Sequence, residues 1–183
     1  MHVPRRYIVM LGSAGAKIAL TLAELHREEI QKRFPKHFLR TEQELYNIRE
    51  RLSLLLPPQE CFVTLQENEV FPALWELADG LNAGLDVTLG EIPILQFVIE
   101  VCELFDVNPY VNMTAPENRK CFQNNAVQPQ TSFGWLIATE KPEEILALAE
   151  DKEIPAAVIG QLTDKNDRIV RNGEIIRYLT PEG

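Results

Sequence analysis

The sequence lacks the features of a membrane, disulfide-rich or nucleic-acid-binding protein. Its 183 residues contain no apolar run of membrane-spanning length, and the apolar part of the N-terminal segment is too short for a signal peptide. Three widely spaced cysteines form no CxxC pair, so neither a zinc site nor a disulfide framework is predicted. The net charge of -9 disfavours contact with phosphate backbones and anionic lipids. We expect a cytoplasmic protein without nucleic-acid or membrane partners.

Groups for catalysis are also scarce. The three histidines and three cysteines give no Ser-His-Asp or Cys-His constellation, so we predict no catalytic residue, no metal site and no bound cofactor. The stretch at 12–17, GSAGAK, superficially resembles a phosphate loop. It lacks the full spacing and the Ser or Thr after the lysine, which predicts a tight turn between a strand and a helix.

The composition that remains is that of one globular domain with a hydrophobic core, because 45% of the residues are apolar and 25% are charged. Alternation and short apolar runs predict strands over 7–11, 60–66, 84–89, 132–139, 156–162, 168–170 and 174–179. Helical spacing predicts one helix that follows the first turn and ends near Arg33, and further helices that begin at Thr41 and near residues 67, 94 and 141. Thr41 and Glu44 match a capping box. Interleaved helices and strands predict an α/β (α+β) domain with a mixed sheet covered by helices.

One segment has no periodicity. Residues 111–130 are rich in Asn, Gln and Pro, and we interpret them as a long loop insertion. Loops of this length are uncommon in compact domains, so this one is either mobile or has a specific role.

Three ordered stretches resemble the C-terminal domain shared by AIR synthase (aminoimidazole ribonucleotide synthetase) and its relatives. They are FPALWELA at 71–78 with AGLDV at 83–87 and EIPI at 91–94, then NPY at 108–110 with GWLIAT at 134–139, and finally IPAAVIG at 154–160 with LTP at 179–181. The relatives are the hydrogenase maturation factor, selenophosphate synthetase and thiamine monophosphate kinase. The chain is most similar in look to the hydrogenase-maturation branch.

The resemblance implies a single three-layer α/β/α domain over 1–183, partly ferredoxin-like. Residues 1–40 would be the linker strand and first helix. It also implies that the family's N-terminal ATP-binding domain, which carries the main nucleotide and magnesium ligands and the dimer interface, is absent.

The resemblance further implies a degenerate ligand site. In the family, a turn of the form Asp-x-Thr-x-Gly-Gly precedes the helix that begins near Val70, and its glycines let the backbone approach phosphate at the helix N-terminus. That turn falls on residues that include Glu67, Asn68 and Glu69, which would repel an anion. A second family glycine, in a Ser-Ser-Gly-Ser-like stretch, falls near Ser132 and Gly134, with Phe133 at the expected glycine position.

The leading hypothesis is a non-catalytic or regulatory binding or assembly module. Its partner would be a second copy or a separate protein that covers the face left by the missing domain. One alternative is half of a split ATP-dependent enzyme, with ATP and magnesium as cofactors and a separate N-terminal subunit. Another is a small-molecule sensor in which the long loop closes over a pocket. Missing glycines favour a function other than catalysis.

Overall fold

The computed structural model describes residues 6–55, 60–65, 69–113, 115–122 and 133–181. The strands within them are β1 (Tyr7–Gly12), β2 (Cys61–Thr64), β3 (Gly84–Thr88), β4 (Gly134–Thr139), β5 (Ala156–Thr163), β6 (Arg168–Asn172) and β7 (Ile175–Tyr178). The helices are α1 (Ala16–Leu25), α2 (Arg27–Arg33), α3 (Lys36–Leu39), α4 (Thr41–Ser53), α5 (Val70–Gly80), α6 (Gln96–Leu104), α7 (Arg119–Phe122) and α8 (Pro142–Asp151).

The strands form one mixed sheet. Across the described residues, its order is β2-β4-β1-β5-β3-β6-β7. β1 is antiparallel to both β4 and β5, whereas β3 and β6 run parallel. A two-residue turn joins β6 to β7, since Asn172 pairs with Ile175 and Gly173 has a φ of 59°.

Alternation along β1 divides the core into two layers. Ile8 and Met10 face one side, where they share a cluster with the apolar stripe of α5. Val9 and Leu11 face the other side, against apolar side chains of α4 and α8. Helices therefore cover both faces of the sheet, which confirms the predicted three-layer α/β/α domain.

Helices α1 and α6 pack together in a further apolar cluster. Phe97 and Val98 of α6 are fully buried there, with Ile18 and Leu22 of α1. Ala14, in the turn before α1, is buried in the same cluster as Val70 and Phe71, so the beginning of α1 lies beside the beginning of α5.

The first helical region and its successor differ from the prediction. The structure breaks the first helix at His26, whose backbone has φ −119° and ψ 34°, so that α1 and α2 are separate. The capping box predicted at Thr41 is not formed, because Arg40 occupies the N-cap position without a side-chain cap. The Thr41 hydroxyl instead donates to the Phe38 carbonyl at 2.6 Å.

The described part of the long loop, residues 111–113 and 115–122, is organised around one buried side chain. Asn118 is fully buried; its Oδ1 accepts the Asn108 N–H at 2.8 Å. Its Nδ2 donates to the carbonyls of Asn108 and Asn112 at 2.9 and 3.1 Å. The segment then forms the short helix α7, which the sequence did not predict.

No helix within the described ranges is long and apolar enough to cross a membrane.

Candidate functional site

The start of α5 is the position where the family resemblance places its phosphate-binding turn. The helix begins at Val70, as the resemblance implied, with Glu69 as an extended N-cap residue. A helix start normally leaves four backbone N–H groups without a partner in the helix. Here the Phe71 N–H donates to the Tyr110 carbonyl at 2.9 Å, and Pro72 has no N–H to offer. Half of the usual donors at this helix start are thus missing or already bonded.

The side chain of Glu69 is turned into the protein. It is only 5% exposed, and its carboxyl group accepts a hydrogen bond from the Gly15 N–H at the start of α1. Burial raises its pKa to about 8, against the smaller opposing effects of that hydrogen bond and of the Lys17 charge. Glu69 is therefore mostly neutral near pH 7. Its side chain blocks the start of α1 sterically. Charge repulsion between Glu69 and an anion contributes less than the sequence predicted.

The turn that receives Glu69 has a constrained backbone. Gly12 has a φ of 99°, and a Cβ there would lie 2.1 Å from the Phe133 carbonyl oxygen. Gly15 has a φ of 63°, and its Cβ would lie 2.5 Å from the Pro109 Cβ. Both positions therefore require glycine for reasons of conformation and space. The buried Ser13 hydroxyl accepts the Leu95 N–H at 3.1 Å, which ties the turn to the start of α6.

Gly134 is the first residue of β4 and pairs with Gly12. A Cβ on Gly134 would lie 2.6 Å from the Leu11 carbonyl oxygen and 2.8 Å from the Leu65 Cδ1. Its carbonyl accepts the Leu65 N–H at 2.9 Å. Close packing between strands therefore accounts for this glycine. The neighbouring Phe133 is buried, and its carbonyl accepts the Ser13 N–H at 3.2 Å.

Other ionisable and aromatic groups surround Glu69. Burial, followed by the Glu69 charge, raises the pKa of the buried Cys102 thiol to about 12, so this thiol is neutral and unreactive. The Tyr110 ring stacks on Phe71 with ring centres 5.4 Å apart. Burial, with a smaller contribution from Cys102, raises the pKa of the Tyr110 hydroxyl. Arg177 lies over the other ring of this stack, 5.0 Å from the centre of Phe71.

Two of the five predicted site residues thus meet at one turn. Glu69 contacts its end at Gly15, and Gly134 pairs with its beginning at Gly12. Glu67, Asn68 and Ser132 lie outside the described residues. The sequence predicted the tight turn between the first strand and helix at 12–17, and β1 and α1 confirm it. It did not predict that this turn contacts Glu69 and Gly134.

Two pockets lie away from this turn. One, of about 350 Å³, is lined by residues at the ends of β1, β2 and β4, including Arg6, Cys61 and Lys141. The other, of about 520 Å³, lies between α2 and Leu104. Neither is lined by the described part of the 111–130 loop, so neither supports the sensor hypothesis. Within the described ranges, no group of three or more His, Cys, Asp or Glu residues is placed to hold a metal ion.

Comparison by sequence finds no matching family model and no matching curated protein. Solved structures do match. E. coli HypE, a hydrogenase maturation protein, has a TM-score of 0.64 and 16% identity over 96% of this chain and 49% of its own. HypE in a HypE-HypF complex has a TM-score of 0.57 and 16% identity, covering 97% of this chain and 53% of its own.

The thiamine-monophosphate kinase from Stenotrophomonas maltophilia K279a has a TM-score of 0.53 and 17% identity, covering 90% of this chain and 49% of its own. The chain spans about half the length of each of these proteins. Together they confirm that it has the AIR synthase-like fold, and its extent fits the C-terminal domain of that fold.

Proposed function

We propose that this chain is a non-catalytic member of the AIR synthase-like group that acts as a binding or assembly module in the cytoplasm. One observation carries the proposal: the start of α5 is already occupied from within. The Phe71 N–H is bonded to Tyr110, Pro72 has no donor, and the Glu69 carboxyl is buried against the neighbouring helix start. Phosphate binding at a helix N-terminus needs several free N–H groups directed at the anion.

Without phosphate binding at the α5 start, we propose that the domain binds another protein. One of the similar structures is a complex of HypE with HypF, which supports protein partnership among proteins of this fold. The three cysteines are free thiols, one of them exposed, and this is typical of a reducing compartment. We propose a second copy or a separate protein as the partner.

Calorimetric titration with ATP and magnesium tests the non-catalytic role. We expect no saturable heat at millimolar nucleotide, because half of the N–H donors that phosphate binding would use at the α5 start are missing or already bonded. A matched titration of the Glu69→Ala variant should also stay flat, since Tyr110 and Pro72 remain in place. Saturable binding to the unmodified chain would contradict the proposal.

The second candidate is half of a split ATP-dependent enzyme. It is favoured by the half-length match to HypE, since a separate chain with the remaining half would complete that length. The same titration in the presence of the candidate subunit separates the two functions. Binding that appears only in the mixture would support the split enzyme.

A further inference from the structure

The beginning of α5 is attached to its neighbours by hydrogen bonds of two kinds. The Phe71 N–H donates to the Tyr110 carbonyl at 2.9 Å, and this bond joins two neutral backbone groups. The Glu69 carboxyl accepts the Gly15 N–H, and this bond joins the N-cap residue of α5 to the turn before α1. The first bond is insensitive to pH, whereas the second involves a group that can lose a proton.

The place that receives the Glu69 side chain is buried and tightly packed. Gly15 lies against the loop after α6 and against α6 itself, since a Cβ on it would come within 2.5 Å of the Pro109 Cβ and 2.8 Å of the Val98 Cγ1. Its φ of 63° also fixes the direction of the turn. The turn therefore has little room to rearrange around a charged carboxylate.

The ionisable groups around Glu69 are one cation and two further acids. On α1, the charge of Lys17 lowers the pKa of Glu69, but burial has the larger effect and raises it to about 8. On α6, the Cys102 thiol lies close enough for a charge on Glu69 to raise its pKa, in addition to the effect of burial. Beyond it, burial and Cys102 raise the pKa of the Tyr110 hydroxyl. Glu69 is thus the first of the three acids to ionise as pH rises.

Ionisation favours a form in which the Glu69 side chain has left this place. A carboxylate gains much more from hydration in bulk water than from a single N–H donor in a buried site. Glu69 precedes the first turn of α5, and its own carbonyl accepts the Ala73 N–H at 3.0 Å. The side chain can therefore move to solvent while the hydrogen bonds of the helix stay intact.

We propose that Glu69 is a proton-dependent latch. When protonated, its carboxyl group holds the beginning of α5 on the turn before α1, and when it loses the proton, it leaves the Gly15 N–H for solvent. This inference rests on the proposed function, because it describes how the occupied helix start is regulated. The held form predominates near pH 7, and alkaline conditions increase the released form.

Proton linkage sets the size of the effect. In the released form the carboxyl group has its ordinary pKa of 4.5, whereas burial raises the pKa to about 8 in the held form. Between these two values the released form binds fewer protons than the held form. The ratio of released to held chains therefore rises about tenfold for each pH unit within this window.

Native-state hydrogen exchange of the full chain tests the latch, because the Gly15 amide loses its acceptor in the released form. We expect its protection factor, which corrects for the pH dependence of intrinsic exchange, to fall about a hundredfold from pH 5 to pH 7. Low concentrations of urea should leave this protection factor unchanged and lower that of the β1 amides, because the release exposes little surface.

The Glu69→Gln variant keeps a carbonyl acceptor for the Gly15 N–H but cannot ionise, so its Gly15 protection factor should not depend on pH. Glu150→Gln, at an exposed position on α8, is the matched control and should keep the wild-type dependence.

Three results would each overturn the latch. The first is a wild-type Gly15 protection factor that does not change with pH, and the second is an equal pH dependence in Glu69→Gln. The third is a urea dependence equal to that of the β1 amides, because only global unfolding would then free Glu69. These measurements involve no nucleotide, so the latch and the non-catalytic role fail separately.

Discussion

Glu69 is a buried carboxyl group whose surroundings favour its neutral form. The sequence identified it as an obstacle to anion binding, but it could not show that the side chain turns inward to the Gly15 N–H. That contact joins two residues that lie more than fifty positions apart in the sequence. Local sequence patterns do not predict a contact between residues so far apart.

Glu69 gives the stability of the chain a specific pH dependence. Its pKa is about 8 in the folded chain, against an ordinary value of 4.5. Between these pH values the folded chain holds a proton that the unfolded chain has released. The contribution of Glu69 to the free energy of unfolding therefore falls as pH rises, by about 1.4 kcal/mol per pH unit within that window.

The Glu69→Gln variant should lose this contribution and show a flatter profile between pH 5 and pH 8, measured by urea denaturation. Glu150→Gln, an exposed position on α8, is the control and should keep the wild-type slope. Equal slopes for wild type and Glu69→Gln would show that Glu69 does not retain its proton on folding.

At the scale of elements, periodicity predicted the main strands and helices because their apolar residues follow the sheet or helix repeat. α5 and the β6–β7 hairpin are examples: one has a clear apolar stripe, and the other was predicted as two short strands over 168–170 and 174–179. α7 was missed because its four residues form a single turn with little periodicity. It is held by Asn118, whose bonds reach backbone groups up to ten residues away.

Asn118→Ala should destabilise this segment strongly. The substitution leaves the Asn108 N–H and several carbonyls without their partner in a buried position, at a cost of about 3 kcal/mol. Asn47→Ala removes an exposed bond from Gln43 and should cost less than about 0.5 kcal/mol. Chemical denaturation gives both values.

Hydrogen exchange shows whether Asn118→Ala destabilises only this segment or the whole fold. In Asn118→Ala, the Asn108 and Tyr110 amides should exchange faster than in the wild type, and the increase should be larger than for the β1 amides. Only the loop loses hydrogen bonds in this variant. Unchanged protection at both amides would show that Asn118 does not organise the segment.

At the scale of the whole molecule, the sequence resemblance predicted the three-layer domain, and the solved structures confirm the fold. The strand order could not be predicted from the sequence, because β2 and β4 are neighbours in the sheet although about seventy residues separate them. The resemblance also predicted a degenerate ligand site at the beginning of α5, but it could not predict which groups contact that helix start. The sequence shows that the glycines of the family turn are missing. Only the structure shows that the Tyr110 carbonyl accepts the Phe71 N–H.

A crystal structure of the full chain grown with ATP and magnesium tests the occupied helix start most directly. We predict that the Glu69 carboxyl remains on the Gly15 N–H and that the Tyr110 carbonyl remains on the Phe71 N–H, with no phosphate at the beginning of α5 or α1. A phosphate group bonded to the Val70 or Phe71 N–H, with Glu69 turned outward, would contradict the non-catalytic account.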